Sequence, residues 1–334
     1  MKEFASGLVV GKLAPLHRGH QRLIETARQS CGRVVVMLWS SPDFPEMLTE
    51  VRAEWVRQLY PDVTVIAFAE GEAPPNDAPG ETHRQFVREN LPFPVAAVFT
   101  GGEDYGPGLA EALGARHIVV DRREDGLAGR DLRGDPLSKR QALHPLVRGH
   151  FVEKVVLLGA ESSGKSTLGR ALAEATGEPY VEEVGRTLWV EAGGDLPLAE
   201  YVTICRQHVA LENEAVARAQ RFAFVDTNAI TTQQYAFFFF GECPRAVQAY
   251  ADRCASRYAH TFVCAPDIPF EQDGTRVHPQ VQRYMDGAIR NDLTLRGIPY
   301  TVVVGGLAER VDAVLDRIGW RSASWITASL MRDS

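Results

Sequence analysis

A phosphate-binding sequence lies near the middle of the chain. Residues 159–167 read GAESSGKST, which meets the spacing G-x-x-x-x-G-K-[ST]. In such a loop the glycines let main-chain N–H groups turn toward an anion, the lysine reaches the β- and γ-phosphates, and the next hydroxyl can ligate Mg²⁺. An ordinary glycine-rich turn is the alternative, but an apolar run precedes the motif and a helical sequence follows it. The motif therefore predicts that ATP or GTP is bound by Gly159, Ser162, Ser163, Gly164, Lys165, Ser166 and Thr167.

A pair of histidines marks a second region that could hold phosphate. Residues 11–20 read GKLAPLHRGH, so His17 and His20 stand where a predicted first strand gives way to a helix, and Lys12 stands at the strand end. Imidazole and ammonium groups beside a helix N-terminus are suitable donors to phosphate oxygens. The alternatives are histidines that cap the helix or point into solvent, and a metal site, for which no third ligand is nearby in the sequence.

Acidic residues of the second half could carry the chemistry of phosphoryl transfer. Asp226 ends the apolar run FAFVD and could lie on the Mg²⁺ side of the phosphates or, alternatively, cap the next helix. Glu182 and Glu183 follow a short strand, and one of them, with Arg186, could orient a substrate hydroxyl as a general base. Asp226 is the competing base, and a solvated charge pair is the other interpretation of the two glutamates.

A later segment could supply a further cation to the phosphates. The sequence HTFVCAPDIPFEQDGTR (260–276) predicts a strand that passes into a polar loop. If that loop closes over the phosphates, Arg276 could neutralise the charge that develops on the transferred phosphoryl group. A plain surface loop is the alternative.

The elements that must position these residues repeat along the chain. In the first half, helix-compatible stretches separate short apolar runs at 7–12, 33–39, 63–69, 96–101 and 117–121. Continuous apolar runs that alternate with helices indicate parallel strands covered on both faces. The predicted class is α/β, with two doubly wound parallel-sheet domains. Because the phosphate motif begins near the middle, we predict domains at 1–150 and 151–334.

Composition excludes several classes of protein. The net charge of −7 gives no basic footprint for nucleic acid, and no apolar run is long enough for a membrane helix. The start of the chain predicts a strand rather than a signal peptide, so a cytoplasmic location is expected. The five cysteines are scattered and contain no C-x-x-C pair, so neither a disulfide framework nor a zinc site is indicated: Cys31, Cys205, Cys243, Cys254 and Cys264.

The segment GKLAPLHRGH closely resembles the G-K/R-F-x-P-x-H-x-G-H signature of the nucleotidyltransferase α/β-phosphodiesterase superfamily. The matching positions are Gly11, Lys12, Pro15, His17, Gly19 and His20. The resemblance implies that the histidines hold the phosphates of ATP while a nucleophilic phosphate attacks the α-phosphorus and pyrophosphate leaves. Positioning and charge neutralisation suffice for such a reaction.

Other segments of the first half resemble nicotinamide-mononucleotide adenylyltransferases of the NadR type. These are VRAEWVRQLYPD (51–62) and FTGGEDYG (99–106). The resemblance implies that Arg52 and Trp55 lie near the nicotinamide nucleotide; a core tryptophan beside a surface arginine is the alternative. In LAGRDLR (127–133), Arg133 matches the arginine of a second phosphate motif, but alanine and arginine replace its serine and threonine. Loss of such hydroxyl donors could slow adenylylation.

The second half resembles the ribosylnicotinamide kinase domain of NadR proteins. It shares GAESSGKST, VDTNAITTQ and a D-I-P-x-x-x-D-G-x-R segment with that domain. The resemblance implies an ATP- and Mg²⁺-dependent enzyme that converts ribosylnicotinamide to nicotinamide mononucleotide and then to NAD. Enteric members carry an N-terminal helix-turn-helix, whereas this sequence begins on the first strand, so DNA binding is not expected.

Two alternatives to the bifunctional enzyme stay open. The two domains could adenylylate and phosphorylate a different small alcohol or phosphate. Alternatively, the altered segment LAGRDLR could mark an N-terminal domain that only senses NAD or ATP and regulates the kinase. Whether the chain forms a homo-oligomer is not determined by the sequence.

Overall fold

The computed structural model describes residues 2–40, 42–102, 104–120, 129–268 and 279–320. Its contacts divide the chain into two compact units, residues 1–151 and 152–334. Each unit is described by itself below.

The first unit is built on a parallel sheet. Its described strands are β1 (Phe4–Val10), β2 (Cys31–Leu38), β3 (Thr64–Ala67), β4 (Ala97–Thr100) and β5 (Arg116–Val119). Its described helices are α1 (Arg18–Ser30), α2 (Thr49–Leu59), α3 (Gly80–Glu89), α4 (Gly106–Leu113), α5 (Arg130–Arg133) and α6 (Pro145–His150). The strand order is β3-β2-β1-β4-β5, with every pair parallel.

The strand order of the first unit places the histidine segment. β1 has β2 on one side and β4 on the other, so its middle, including Leu8 and Val9, is completely buried. Chain connections leave such a central strand in opposite directions and open a crevice at its C-terminal end. Residues 11–20 follow β1 directly and therefore lie at this crevice.

The second unit is also built on a parallel sheet. Its described strands are β6 (Glu153–Leu158), β7 (Tyr180–Val181), β8 (Phe222–Asp226), β9 (His260–Cys264) and β10 (Thr301–Val303). The described helices that follow them are α7 (Lys165–Thr176), α8 (Val184–Glu191), α9 (Glu200–Arg218), α10 (Ala229–Phe240), α11 (Arg245–Asp252), α12 (Cys254–Arg257), α13 (Pro279–Leu295) and α14 (Leu307–Arg317). The strand order is β10-β9-β6-β8-β7. The phosphate motif follows β6, which lies between β8 and β9 at the corresponding crevice.

The predicted α/β class with two parallel sheets is confirmed. Sequence patterns did not predict helix α8, because glycine and β-branched residues give its sequence VGRTLWVE a low helix propensity. Tertiary packing stabilises α8 instead, since its Val184 and Leu188 join a hydrophobic cluster with Ile204 of α9. In the described part of the chain, no helix combines the length and the apolar character that a membrane span requires.

Candidate active sites

The phosphate loop between β6 and α7 adopts backbone conformations that favour glycine. Gly159 and Gly164 have φ angles of +137° and +83°. A Cβ atom at Gly159 would lie 2.7 Å from the carbonyl oxygen of Cys264, so no side chain fits there. Lys165 begins α7, and its Nζ donates a hydrogen bond of 2.8 Å to the Ala160 carbonyl, which holds the ammonium group at the loop.

Asp226 connects the end of β8 to the phosphate loop. Its Oδ2 accepts hydrogen bonds from Ser166 Oγ at 2.5 Å and from the Tyr180 hydroxyl at 2.8 Å. Asp226 is completely buried, and its other oxygen, Oδ1, has no hydrogen-bond partner among the described residues. A buried carboxylate oxygen without a partner is costly, and a cation beside Ser166 would satisfy it. Ser166 and Asp226 therefore fit a Mg²⁺ ion.

The number of protein ligands at this position also agrees with Mg²⁺. Mg²⁺ commonly takes one or two protein ligands and completes its shell with water and phosphate oxygens. The sparse pair of Ser166 and Asp226 suits that coordination.

The two neighbouring glutamates lie in different environments. Glu183 lines the cavity beside the phosphate loop, together with Arg186. Burial raises the pKa of the Glu183 carboxyl, Lys165 opposes the rise, and the Asp226 carboxylate adds to it. Glu182 has a side chain that is 65% exposed and forms a surface ion pair of 2.9 Å with Arg170. Of the two candidate bases at 182 and 183, only Glu183 faces the cavity.

The cavity beside the phosphate loop has a volume of about 510 Å³, which suits a nucleoside-sized ligand. Aromatic side chains contribute to its wall, among them Trp189, Tyr201, Tyr235 and Phe239. The rings of Tyr235 and Phe239 stack with their centroids 5.9 Å apart. Sequence reasoning missed these residues, although the i, i+4 spacing of Tyr235 and Phe239 on α10 indicated one aromatic helix face.

A buried charge cluster lies at another part of the cavity wall, where His208 and Glu212 of α9 are found. Glu212 is completely buried and accepts hydrogen bonds from Lys154 at 3.0 Å, from Arg257 at 2.6 Å and from Tyr258 at 2.6 Å. Burial alone would raise the pKa of Glu212, but Lys154 and Arg257 outweigh it and hold the pKa below its usual value. Burial lowers the pKa of His208, which favours the neutral form of the imidazole, although the Glu212 carboxylate opposes this effect.

In the first unit, His17 and His20 lie against each other at the start of α1. Their ring centroids are 3.9 Å apart. His17 is 2% exposed, and its Nδ1 accepts a hydrogen bond of 3.1 Å from the Gly19 amide, so this nitrogen caps the helix. Because Nδ1 accepts, the proton of the neutral imidazole is on Nε2, which makes Nε2 a donor suited to a phosphate oxygen. The capping and phosphate-binding interpretations thus use different nitrogens of His17.

The second phosphate segment lies beside this histidine pair. A Cβ atom at Gly129 would come within 3.7 Å of His17 Nε2, so the chain passes close to the imidazole there. Arg133 follows on α5, and its Nε donates to the Ala14 carbonyl at 3.3 Å. The structure therefore brings Arg133 to the histidine segment, whereas Ala128 lies outside the described residues.

Positive charge is concentrated at the same place. Burial lowers the pKa of Lys12, and the nearby Arg133 and Arg52 lower it further. Arg52 is paired with Asp43, so Lys12 and Arg133 are the cations whose mutual repulsion an anionic ligand would relieve.

The side chain of Arg52 makes its contacts inside the first unit. It is completely buried, its Nε donates to the Met47 carbonyl at 2.6 Å, and its Nη2 pairs with Asp43. Its Nη1 donates to the carbonyl oxygen of Lys12. These contacts suit a residue that positions the Lys12 segment.

Trp55 also makes contacts within the first unit. It is 5% exposed, and its ring contacts that of His150 edge-on, with the centroids 5.3 Å apart, and the tilted ring of Phe151, with the centroids 5.9 Å apart. The alternative of a core tryptophan agrees with these contacts. The remaining candidate, Arg276, lies outside the described residues.

The chain is similar to one family model and to NadR proteins. A family model described as an AAA domain matches residues 154–310. The chain is 28% identical over 294 residues to the trifunctional NAD biosynthesis/regulator protein NadR of Escherichia coli (strain K12), a match that covers 81% of this chain and 71% of that protein. NadR of Salmonella typhimurium (strain LT2) matches with the same identity and the same coverage.

Two solved structures have a similar fold. A crystal structure of NadR in complex with NR has a TM-score of 0.67 and 20% identity, and covers 93% of this chain and 96% of that one. A NadR structure in complex with NAD and AMP-PNP has a TM-score of 0.65 and 21% identity, and covers 95% and 96%. The resemblance to NadR proteins expected from the motifs is therefore confirmed.

Proposed function

We propose that this NadR homologue is a bifunctional enzyme that phosphorylates ribosylnicotinamide in its second unit and adenylylates nicotinamide mononucleotide in its first. The observation that carries the proposal is that Ser166 and Glu183 line one cavity at the phosphate loop, while the buried Asp226 accepts a hydrogen bond from Ser166. That arrangement suits phosphoryl transfer to a hydroxyl. The name of the curated relatives and the ligands in the related crystal structures support NAD biosynthesis as the pathway.

In the kinase reaction, the 5′-hydroxyl oxygen of the riboside would attack the γ-phosphorus of ATP, and ADP would leave. Lys165 would bind the β- and γ-phosphates, and Ser166 and Asp226 would hold a Mg²⁺ ion, whose charge would offset that of the phosphate oxygens. Glu183 would accept the hydroxyl proton, because its carboxyl lines the cavity at the loop and its raised pKa makes the carboxylate a stronger base. Arg186 of the same cavity orients the acceptor.

In the adenylyltransferase reaction, an oxygen of the 5′-phosphate would attack the α-phosphorus of a second ATP, and pyrophosphate would leave. A phosphate nucleophile is already ionised at neutral pH, so no general base is needed. His17, His20, Lys12 and Arg133 bind the triphosphate and neutralise the charge that the leaving pyrophosphate gains. The absence of hydroxyl donors in LAGRDLR leaves this task to cations.

Product analysis tests the two assignments separately. Purified protein is incubated with ATP, Mg²⁺ and either ribosylnicotinamide or nicotinamide mononucleotide, alongside Lys165→Ala and His17→Ala variants. We expect NAD from both substrates, loss of only the riboside reaction in Lys165→Ala, and loss of only the final step in His17→Ala. Accumulation of the mononucleotide without NAD in the wild type would refute the adenylyltransferase and leave a kinase whose first unit senses nucleotides.

A further inference from the structure

Three main-chain carbonyls of the phosphate loop, those of Ala160, Glu161 and Ser163, accept hydrogen bonds from side chains. The Ala160 carbonyl accepts hydrogen bonds from Ser163 Oγ at 2.7 Å and from Lys165 Nζ at 2.8 Å. The Glu161 carbonyl accepts from the side-chain amide of Gln282 at 3.0 Å. The Ser163 carbonyl accepts from Arg310 Nη1 at 2.6 Å. Gln282 and Arg310 thus reach the loop from α13 and α14, which lie far from it in the sequence.

Holding a carbonyl also aims the next amide. In a planar trans peptide, the C=O of one residue and the N–H of the next point in opposite directions. Gln282 therefore fixes the direction of the Ser162 amide, and Arg310 fixes that of the Gly164 amide. Both amides then point away from the helices that hold the carbonyls, as in the concave amide nests that bind phosphate.

Arg310 is itself held rigidly. It is 2% exposed, its Nε donates to the Gly305 carbonyl at 2.9 Å, and its Nη2 donates to the Ala265 carbonyl at 3.1 Å and pairs with Asp267. A Cβ atom at Gly164 would lie 3.5 Å from Arg310 Nη1, so the guanidinium packs directly against the loop.

Gln282 holds the Glu161 carbonyl of the loop with an uncharged side-chain amide. It is 6% exposed, on α13. An amide donor of this kind is weaker than a guanidinium, since hydrogen bonds from charged groups contribute about twice as much as neutral ones. The hydrogen bond from Gln282 is therefore weaker than the one from Arg310, but both hold carbonyls of the same loop.

We propose that Arg310 and Gln282 are positioning residues that keep the phosphate loop in its anion-binding conformation before the nucleotide arrives. They act through the main chain of the loop, whereas Lys165 meets the phosphates. The inference rests on the proposed function only in taking ATP as the triphosphate. Loss of the Arg310 hydrogen bond should weaken ATP binding at the loop roughly 10- to 100-fold, and loss of the Gln282 bond roughly 2- to 10-fold.

The test measures ATP binding and kinase kinetics in the full chain. The variants are Arg310→Met, Arg310→Lys and Gln282→Met, and binding at the loop is the part of the ATP signal that Lys165→Ala removes. The matched controls are Arg317→Met on α14 and Arg283→Met on α13, since both arginines are exposed. We expect a higher KM for ATP with an unchanged KM for ribosylnicotinamide, partial recovery in Arg310→Lys, and no change in either control or in adenylylation.

Thermal unfolding separates this role from a purely structural one. Variants that unfold at the wild-type temperature but bind ATP as tightly as wild type would overturn the proposal, as would equal losses in the controls. If Arg310→Met does not fold, Gln282→Met and Arg310→Lys still decide the question. If the wild type fails to phosphorylate ribosylnicotinamide, the proposed function fails, while loop-dependent ATP binding by the variants still tests the positioning role.

Discussion

The adjacent glutamates at 182 and 183 allow a sharp test of the kinase mechanism. In Glu183→Gln, the amide keeps the size of the side chain but cannot accept the hydroxyl proton. A general base contributes typically 10²- to 10⁴-fold to a rate, which corresponds to about 2.7–5.4 kcal/mol at 1.36 kcal/mol for each factor of ten. We expect kcat for ribosylnicotinamide phosphorylation to fall at least 100-fold, with little change in KM because the amide can still hydrogen-bond the hydroxyl.

Glu182→Gln is the matched control, since it makes the same chemical change at the neighbouring residue. The Glu182 side chain is 65% exposed, and its partner Arg170 is 63% exposed, so their ion pair is weak. Kinase activity should therefore stay within about twofold of wild type.

The assay follows ADP release with ribosylnicotinamide and, on the same preparation, NAD formation from nicotinamide mononucleotide. The second rate reports on the first unit and should be unchanged in both variants, while thermal unfolding reports on the folding of the second. Equal loss in the two glutamate variants, or retention of more than about a tenth of kcat in a folded Glu183→Gln enzyme, would refute Glu183 as the base.

Three further outcomes are expected. Asp226→Asn replaces the carboxylate beside Ser166 with a weaker metal ligand. In a metal titration, the Mg²⁺ concentration needed for half-maximal kinase activity should rise roughly 10- to 100-fold. An unchanged midpoint would contradict the assignment of the metal site. Burial raises the pKa of Glu183 above 4.5, and only the carboxylate form can accept a proton. The kinase kcat/KM should therefore fall as the pH drops through that raised pKa, whereas the adenylylation rate should show no such fall. The same pH profile for both reactions would argue against Glu183 as the base. Glu212→Leu should destabilise the second unit by about 3–5 kcal/mol, since the largely enclosed Lys154, 13% exposed, and Arg257 lose their carboxylate partner. Glu214→Leu at an exposed position of the same helix should not destabilise it, and calorimetry compares the two variants.

Local chemistry made several features predictable from the sequence. The phosphate loop is encoded by consecutive residues within one strand–loop–helix unit, so the spacing of Gly159, Gly164, Lys165 and Ser166 defines it without reference to the rest of the fold. The histidine segment at 11–20 is equally local, and β1 and β6 were visible as continuous apolar runs because both faces of each strand are covered. The same local logic predicted Asp226 at the end of β8.

Tertiary packing decided which candidates share an environment. Glu182 and Glu183 are equivalent in sequence, yet a turn into α8 sends one to the surface and the other to the cavity. The charge of Arg52 suggests that this residue binds a ligand, but the fold buries the side chain against Asp43 and the Lys12 carbonyl.

Arg310 and Gln282 give no signal in the sequence at all, because their partners are main-chain carbonyls 147 and 121 residues away. A side chain's type and spacing thus determined the chemistry available to this protein. Burial and long-range hydrogen bonding, which depend on contacts between distant segments, determined which of those side chains meet at the phosphate loop.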